Sequence, residues 1–288
     1  MRRGWLVEVI AWLPQGPLSR AWGWLARRQR PRLAVAALKY VFVRATGIDM
    51  AEADAPLASY PSLMALFVRQ LRPGSHQVDG RPGVLVSPVD GTVGTCGTVQ
   101  AGTCLQIKGR SYLLEDLLGS ATAAARYEGG SYATIYLAPR DYHRIHAPAA
   151  GEVREATWIP GGLMPVFPES LARVPALFAR NERIVTYLDT PAAGRLAIVK
   201  VGATLVGCIH LAYDPSIASN QAGQHTPRLL CYAPPRPLAR GAELGTFCLG
   251  STVVLFAEAG AAVLSPPLLG SPIRMGQALG HIVPRPDA

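Results

Sequence analysis

Lysine is nearly absent from this chain. Its 288 residues hold three, Lys39, Lys108 and Lys200, against twenty-five arginines. A pyridoxal enzyme needs a lysine for its internal imine, and none of the three sits in a convincing pocket motif. Aromatic residues make up only 7% and are scattered, which argues against a stacking platform for nucleic acid. The five cysteines, Cys96, Cys104, Cys208, Cys231 and Cys248, are odd in number and form no CxxC pair. They read as reduced thiols in a reducing compartment, with neither a disulfide nor zinc expected. Long apolar runs are missing too. The longest, Leu244 to Ala257, has 14 residues between Glu243 and Glu258, short of the roughly 20 that a spanning helix needs.

What is present is a folded, basic chain. Hydrophobic residues account for 49%, enough for a sizeable core, and the net charge is +9. That balance favours an anionic partner such as anionic lipid or a phosphorylated substrate. Four of the five tryptophans (Trp5, Trp12, Trp22, Trp24) fall near the start, and residues 1–32 carry seven arginines against one glutamate. The start superficially resembles a secretory signal, but Glu8 interrupts its apolar part and no A-x-A-like site follows. Trp5, Val9, Trp12 and Leu13 share one helical face; Leu18, Trp22 and Leu25 begin another after the Pro14–Pro17 break. A basic, Trp-rich amphipathic helix pair is suited to lie in a membrane interface without crossing it.

Helical patterns continue over Leu33 to Thr46 and Ser62 to Val68. After Pro73 the texture changes to short β-rich runs punctuated by Gly and Pro, including "GVLVSP", "GTVGT", "YATIYLAP", "RIVTYLD" and "LAIVKVG". This spacing predicts an α+β chain: N-terminal amphipathic helices over 1–72, then a β-rich sandwich or barrel-like domain over 73–288. One helix is expected within it, over Leu113 to Ala124. Asp214 to Arg240 is expected to be a long irregular loop. "FCLGSTVVLF", Phe247 to Phe256, reads as one buried strand with an awkward Gly250–Ser251 pair in its middle.

Three stretches carry chemistry. "SPVDGTV" places Asp90 in a turn, "PRDYHRIHAP" carries His143 and His146, and "LGST" carries Gly250 and Ser251. Each alone has a plain structural reading as a turn, a solvated histidine pair or a bulge. Together Asp, His and Ser form an orienting group, a base and a nucleophile. Two histidines three residues apart on a regular strand face opposite sides, so one site can use both only if the segment turns or bulges. Ser251 lacks the second glycine of a hydrolase elbow, and its nearest carbonyl is that of Gly250 itself. A serine activated there could cleave its own chain, since glycine leaves the backbone open to attack.

At this point the sequence resembles a family, the bacterial membrane-associated phosphatidylserine decarboxylases. The motifs "SPVDGTV", "LQIKGRSYLLEDLL", "PRDYHRIHAP", "LFARNERIV", "VGATLVG", "LGSTVVLF" and "RMGQALG" occur in the family's order along nearly the whole chain. The resemblance implies a pyruvoyl enzyme that makes its cofactor from Ser251. His146, oriented by Asp90, would deprotonate Ser251, and cleavage after Gly250 would leave a β chain of residues 1–250 and an α chain of residues 251–288. The pyruvoyl ketone would form a Schiff base with phosphatidylserine, releasing CO₂ and phosphatidylethanolamine, with His143 as acid/base in turnover. No metal is implied. The two chains would stay together as a heterodimer, itself paired into a dimer, peripheral on the cytoplasmic side of the inner membrane, with no nucleic-acid partner. Arg144 and Arg183 are candidates for the phosphodiester; His210 is given no role.

Three other readings remain open at the level of sequence. A serine hydrolase would use Asp90, His146 and Ser251 on an external ester and keep an intact chain. "SPVDGTV" also resembles the turns of hybrid β-sandwich carrier domains, but no carrier-type lysine lies beside it. A pyruvoyl decarboxylase could instead act on a small soluble amino acid.

Overall fold

The computed structural model describes residues 15–105, 111–204, 208–220, 225–248, 251–265 and 269–284. Trp5, Trp12, Lys108 and Gly250 therefore lie outside the described residues. Three helices lead the chain: α1 (Gln15–Ala26), α2 (Arg32–Thr46) and α3 (Leu63–Phe67). Gly47 ends α2 at φ 78°, a left-handed turn that glycine tolerates at no steric cost. Ser62 starts α3 by accepting the Ala65 N–H at 3.1 Å.

The strands follow, with two short helices between the fourth and fifth and two more, Pro168–Leu171 and Leu177–Arg180, between the seventh and eighth. They are β1 (Val84–Val86), β2 (Gly91–Thr98), β3 (Thr103–Leu105) and β4 (Ser111–Leu113), then α4 (Leu114–Leu118) and α5 (Ala121–Ala125). Next come β5 (Ser131–Leu137), β6 (Arg144–His146), β7 (Gly151–Ile159), β8 (Arg183–Thr190), β9 (Gly194–Val201) and β10 (Ile209–Leu211). The last are β11 (Arg228–Leu238), β12 (Glu243–Phe247), β13 (Ser251–Ala257), β14 (Ala262–Leu264), β15 (Pro272–Ile273) and β16 (Ala278–Ile282). An eight-stranded antiparallel sheet runs β11-β7-β8-β9-β13-β5-β2-β15. Two three-stranded sheets, β10-β12-β6 and β1-β16-β14, pack on one face of it. The mixed α+β class expected from the sequence is what the chain forms.

β13 lies at the centre, paired with β5 and β9, and every one of its residues is buried. Alternation explains how both faces are served. Val253, Leu255 and Ala257 join the core shared with the small sheets, while Val254 and Phe256 join the core under α4 and α5. A third apolar cluster, with Ala26, Tyr60, Leu63, Leu66 and Phe67, joins the N-terminal helices to Cys208 and Cys248 beside the β10-β12-β6 sheet.

Three expectations are corrected here. Phe247 to Phe256 is not one strand: Phe247 ends β12 in a small sheet and Ser251 begins β13 in the large one. Ser251 thus stands at the head of a strand, not in a strand interior. The helix expected over Leu113 to Ala124 is two, because Gly119 turns left-handed at φ 70° and Ser120 caps a new start. The expected loop Asp214 to Arg240 contains the eleven-residue β11, paired along β7. Pro234, Pro235 and Pro237 masked it. β11 is an edge strand whose register shifts between Cys231 and Arg236, the setting in which proline is tolerated.

Candidate active site

The strand register gathers the motifs at one end of the large sheet. Thr92 of β2 and Thr252 of β13 both pair with Tyr136 of β5. Ser251 pairs with Leu137, so it stands about two strand spacings, roughly 10 Å, from the start of β2, with Asp90 just beyond. The chain leaving β5 at Leu137 runs directly into the segment with Tyr142 and His143. The His146 N–H donates to the Pro88 carbonyl at 2.8 Å, which lays "RIHAP" beside "SPVDG".

Ser251 is 0% exposed, and its Oγ has no hydrogen-bond partner among the described residues. A buried orphan hydroxyl is costly and rare in a purely structural role. His143 is also wholly buried, with its ring against Phe67 at a centroid distance of 4.0 Å. Its Nδ1–H donates to the Asp141 carbonyl at 2.8 Å, leaving Nε2 as the lone-pair nitrogen, and that atom too has no partner. Burial pushes this imidazole down to about 3, so it is neutral at pH 7. His146 donates from Nδ1 to the Gly241 carbonyl at 2.8 Å and accepts the Tyr142 hydroxyl at Nε2, 3.1 Å away. Burial lowers its pKa as well. His143 precedes β6 and His146 ends it, so the two histidines do not share one regular strand; the register shift between Glu243 and Gly245 falls in the partner strand β12.

Asp90 does not orient His146 in this structure, contrary to the sequence expectation. Its carboxylate accepts from His76 Nε2 at 2.9 and 3.0 Å and from the Met275 N–H at 2.7 Å. The ring of His76 lies tilted 6.3 Å, centroid to centroid, from that of Tyr142, which stacks on His146 at 5.6 Å. Tyr142 thus stands between the His76–Asp90 pair and His146. Sequence reading missed His76, which follows an ordinary Pro-Gly-Ser turn and carries no motif; Met275 lies in the quoted "RMGQALG".

The two arginines picked for a phosphodiester are already engaged. Arg183 is tied to the carbonyls of Asp116, Leu117, Ala179 and Asn181, and Arg144 pairs with Glu243 at 2.7 Å. Arg69 was missed. It is buried, bonds the Arg140 carbonyl at 3.0 Å, and keeps Nε and Nη1 without partners. It lines a cleft of about 230 Å³ with Asp90, Arg140, Tyr142 and Arg274. Of the metal-binding side chains among the described residues, Cys208, His210 and Cys248 form the group whose donor atoms converge.

With this geometry in view, the comparisons with known proteins agree among themselves. The family model described as phosphatidylserine decarboxylase matches residues 63–281. The chain is 45% identical over 275 residues to the phosphatidylserine decarboxylase proenzyme of Anaeromyxobacter sp. (strain K), covering 95% of this chain and 97% of that one. It is 43% identical over 252 residues to the proenzyme of the same name from Myxococcus xanthus (strain DK1622), covering 88% and 89%. Against that of Brevibacillus brevis it is 38% identical over 276 residues, covering 95% and 96%.

Proposed function

We propose that this chain, which belongs to the phosphatidylserine decarboxylase family, cleaves itself between Gly250 and Ser251 and then converts phosphatidylserine to phosphatidylethanolamine at a membrane surface. The observation that carries the reading is the Ser251 hydroxyl, buried and unpartnered where the chain crosses between sheets. A neutral histidine takes the Ser251 proton, and Oγ attacks the Gly250 carbonyl carbon. The Gly250–Ser251 C–N bond breaks and the amide becomes an ester. Loss of the Ser251 Hα and of the Gly250 carboxylate leaves dehydroalanine, which tautomerises and hydrolyses to a pyruvoyl group and ammonia. The site fits that group: conversion removes the orphan hydroxyl, and the new chain start is held on both sides by β5 and β9. The same pairing keeps the α chain, residues 251–288, bound to the β chain.

The pyruvoyl ketone supplies the electron sink for the electrons released with CO₂. The chain's own groups handle protons and charge. His146, with Nδ1–H fixed on Gly241, presents Nε2 in basic form for Ser251 once Tyr142 turns aside. Asp90, held by His76, adds negative charge at longer range. His143, neutral and unpartnered at Nε2, takes the proton that an incoming ammonium must shed and returns it to Cα. Arg69 turns its free N–H groups to the anionic headgroup. One observation favours a second allocation: His143 has a free Nε2 and His146 does not, so His143 could serve Ser251 itself.

Docking is assigned to the first two helices, whose Leu18, Trp24, Leu25, Leu33, Tyr40 and Val41 are exposed. Arg28 lies 3.6 Å over the Trp24 ring. No helix among the described residues is long and apolar enough to cross a membrane. A peripheral place on the cytoplasmic side of the inner membrane, and pairing of two processed molecules, complete the proposal.

The test is intact mass of the denatured full-length protein, with decarboxylation of phosphatidylserine vesicles alongside. Two chains split after Gly250, the smaller blocked by a ketone, are expected; one intact chain labelled by a fluorophosphonate at Ser251 would make it a hydrolase. His146→Ala is expected to stay uncut, and His143→Ala to be cut yet inactive; the reverse pattern installs the second allocation. Arg69→Lys is expected to be cut normally with a raised KM, and an unchanged KM removes Arg69 from the headgroup.

A further inference from the structure

Cys208 immediately precedes β10 and His210 lies on it, with one residue between them in extended chain, and their side chains meet, Sγ to Nε2 at 3.0 Å. β12 runs antiparallel beside it with Ile209 opposite Phe247, and the Cys248 N–H donates to the Cys208 carbonyl at 2.9 Å. Cys248 is therefore the direct cross-strand neighbour of Cys208, forty residues away in sequence. The Cys208 and Cys248 sulfurs are 3.3 Å apart, and Cys208 Sγ is 3.0 Å from His210 Nε2. All three donor atoms lie within 4.8 Å of one another.

We infer that Cys208, His210 and Cys248 form a binding site for a thiophilic divalent cation of the zinc class. A tetrahedral centre with zinc–sulfur bonds of about 2.3 Å and zinc–nitrogen bonds of about 2.0 Å spaces its donors by roughly 3.5–3.8 Å. The 3.0 and 3.3 Å separations at Cys208 need only open by about 0.5 Å, well within rotamer adjustment. The two thiols are buried under Ala26, Leu63, Met64 and Phe67, an apolar shell that shields a thiolate site, while half-buried His210 leaves a way in. Arg27 reaches within 3.6 Å of Cys208 Sγ and donates to that sulfur from the outer shell, offsetting the charge of two thiolates. The fourth position is left to water. A disulfide would use the two sulfurs but would leave the His210 and Arg27 contacts to Cys208 without a purpose. The absence of a CxxC pair hid the site, because its two sulfurs are brought together by strand pairing.

Cys248 lies one residue past the end of β12, where the chain departs for β13. A bound ion would clamp that end of the strand to β10, whatever reaction follows at Ser251.

The experiment uses the full-length chain purified without a polyhistidine tag, equilibrated with zinc, desalted, and analysed for metal. One zinc per chain is expected, retained in Cys231→Ser and lost in Cys208→Ser and Cys248→Ser. Cobalt should give a sulfur-to-metal charge-transfer band that the same two variants lack. Should those variants fold poorly, His210→Ala, a half-buried side chain, is expected to lose the metal on desalting while melting as wild type. No zinc in the wild-type chain, equal zinc in the cysteine variants and wild type, or a Cys208–Cys248 disulfide in the same preparation overturns the site.

Discussion

At the scale of single residues the site is defined by protonation as much as by position. His143 and His146 are both buried and neutral, with Nδ1–H fixed by backbone carbonyls. Holding His143 at about 3 against an ordinary 6.5 means the folded chain binds fewer protons than the unfolded one between those values. Stability is therefore intact above pH 6.5 and falls as the pH drops below it, by up to about 1.4 kcal/mol per pH unit for each such group. Urea midpoints measured from pH 6.5 to 5 should fall in the wild-type chain and fall less in His143→Gln. Parallel curves for the two would mean His143 carries no such linkage. Lys200 follows the same logic: it is wholly buried, its pKa is pushed well down by burial, and its Nζ reaches Thr186 Oγ1. On β9 it lies opposite Val253, two residues from Ser251, with its Nζ engaged by Thr186.

At the scale of elements the decisive feature is how strands change sheets. β12 and β13 are consecutive in the chain but belong to different sheets, and Ser251 stands at the head of a doubly paired strand. The head of β2 is set as tightly. A Cβ on Gly91 would run into the Tyr136 carbonyl and stand 2.9 Å from Ile135 Cγ2. Gly91→Ala is expected to push β2 from β5, shift Asp90 and cost roughly 1–3 kcal/mol through overpacking. Thermal melting and intact mass check this: a lower Tm and an uncut chain are expected, and normal melting with normal cleavage would show that the close approach does not position Asp90. Much of this level was legible. The α2 and α3 helices and most of β5, β8 and β9 stand where periodicity put them, because each is a local pattern of apolar residues. β11 was not, since its prolines speak against a strand unless the strand is known to lie at an edge.

At the scale of the whole molecule the charge of +9 and the exposed apolar face of α1 and α2 point the same way. Trp24 is 59% and Leu33 87% exposed, a poor arrangement for side chains meant only for water. Burying each in a lipid interface is worth roughly 1.5–3 kcal/mol. The double variant Trp24→Asp, Leu33→Asp should thus lose about tenfold or more in flotation with anionic vesicles while still melting as wild type. Equal flotation would move the docking surface elsewhere on the molecule.

The sequence by itself determined the family and the α+β order of elements and named Asp90, His143, His146 and Ser251 as candidates, because those depend on local composition and on motifs a few residues long. Only the tertiary structure decided that Asp90 meets His76, that Tyr142 occupies His146, that Arg69 keeps buried N–H groups unpartnered while Arg144 pairs with Glu243 and Arg183 is tied to backbone carbonyls, and that Cys208 meets Cys248. The reason is physical. Partners across a sheet are set by register and by which face a side chain turns to, and these follow from packing the whole core at once.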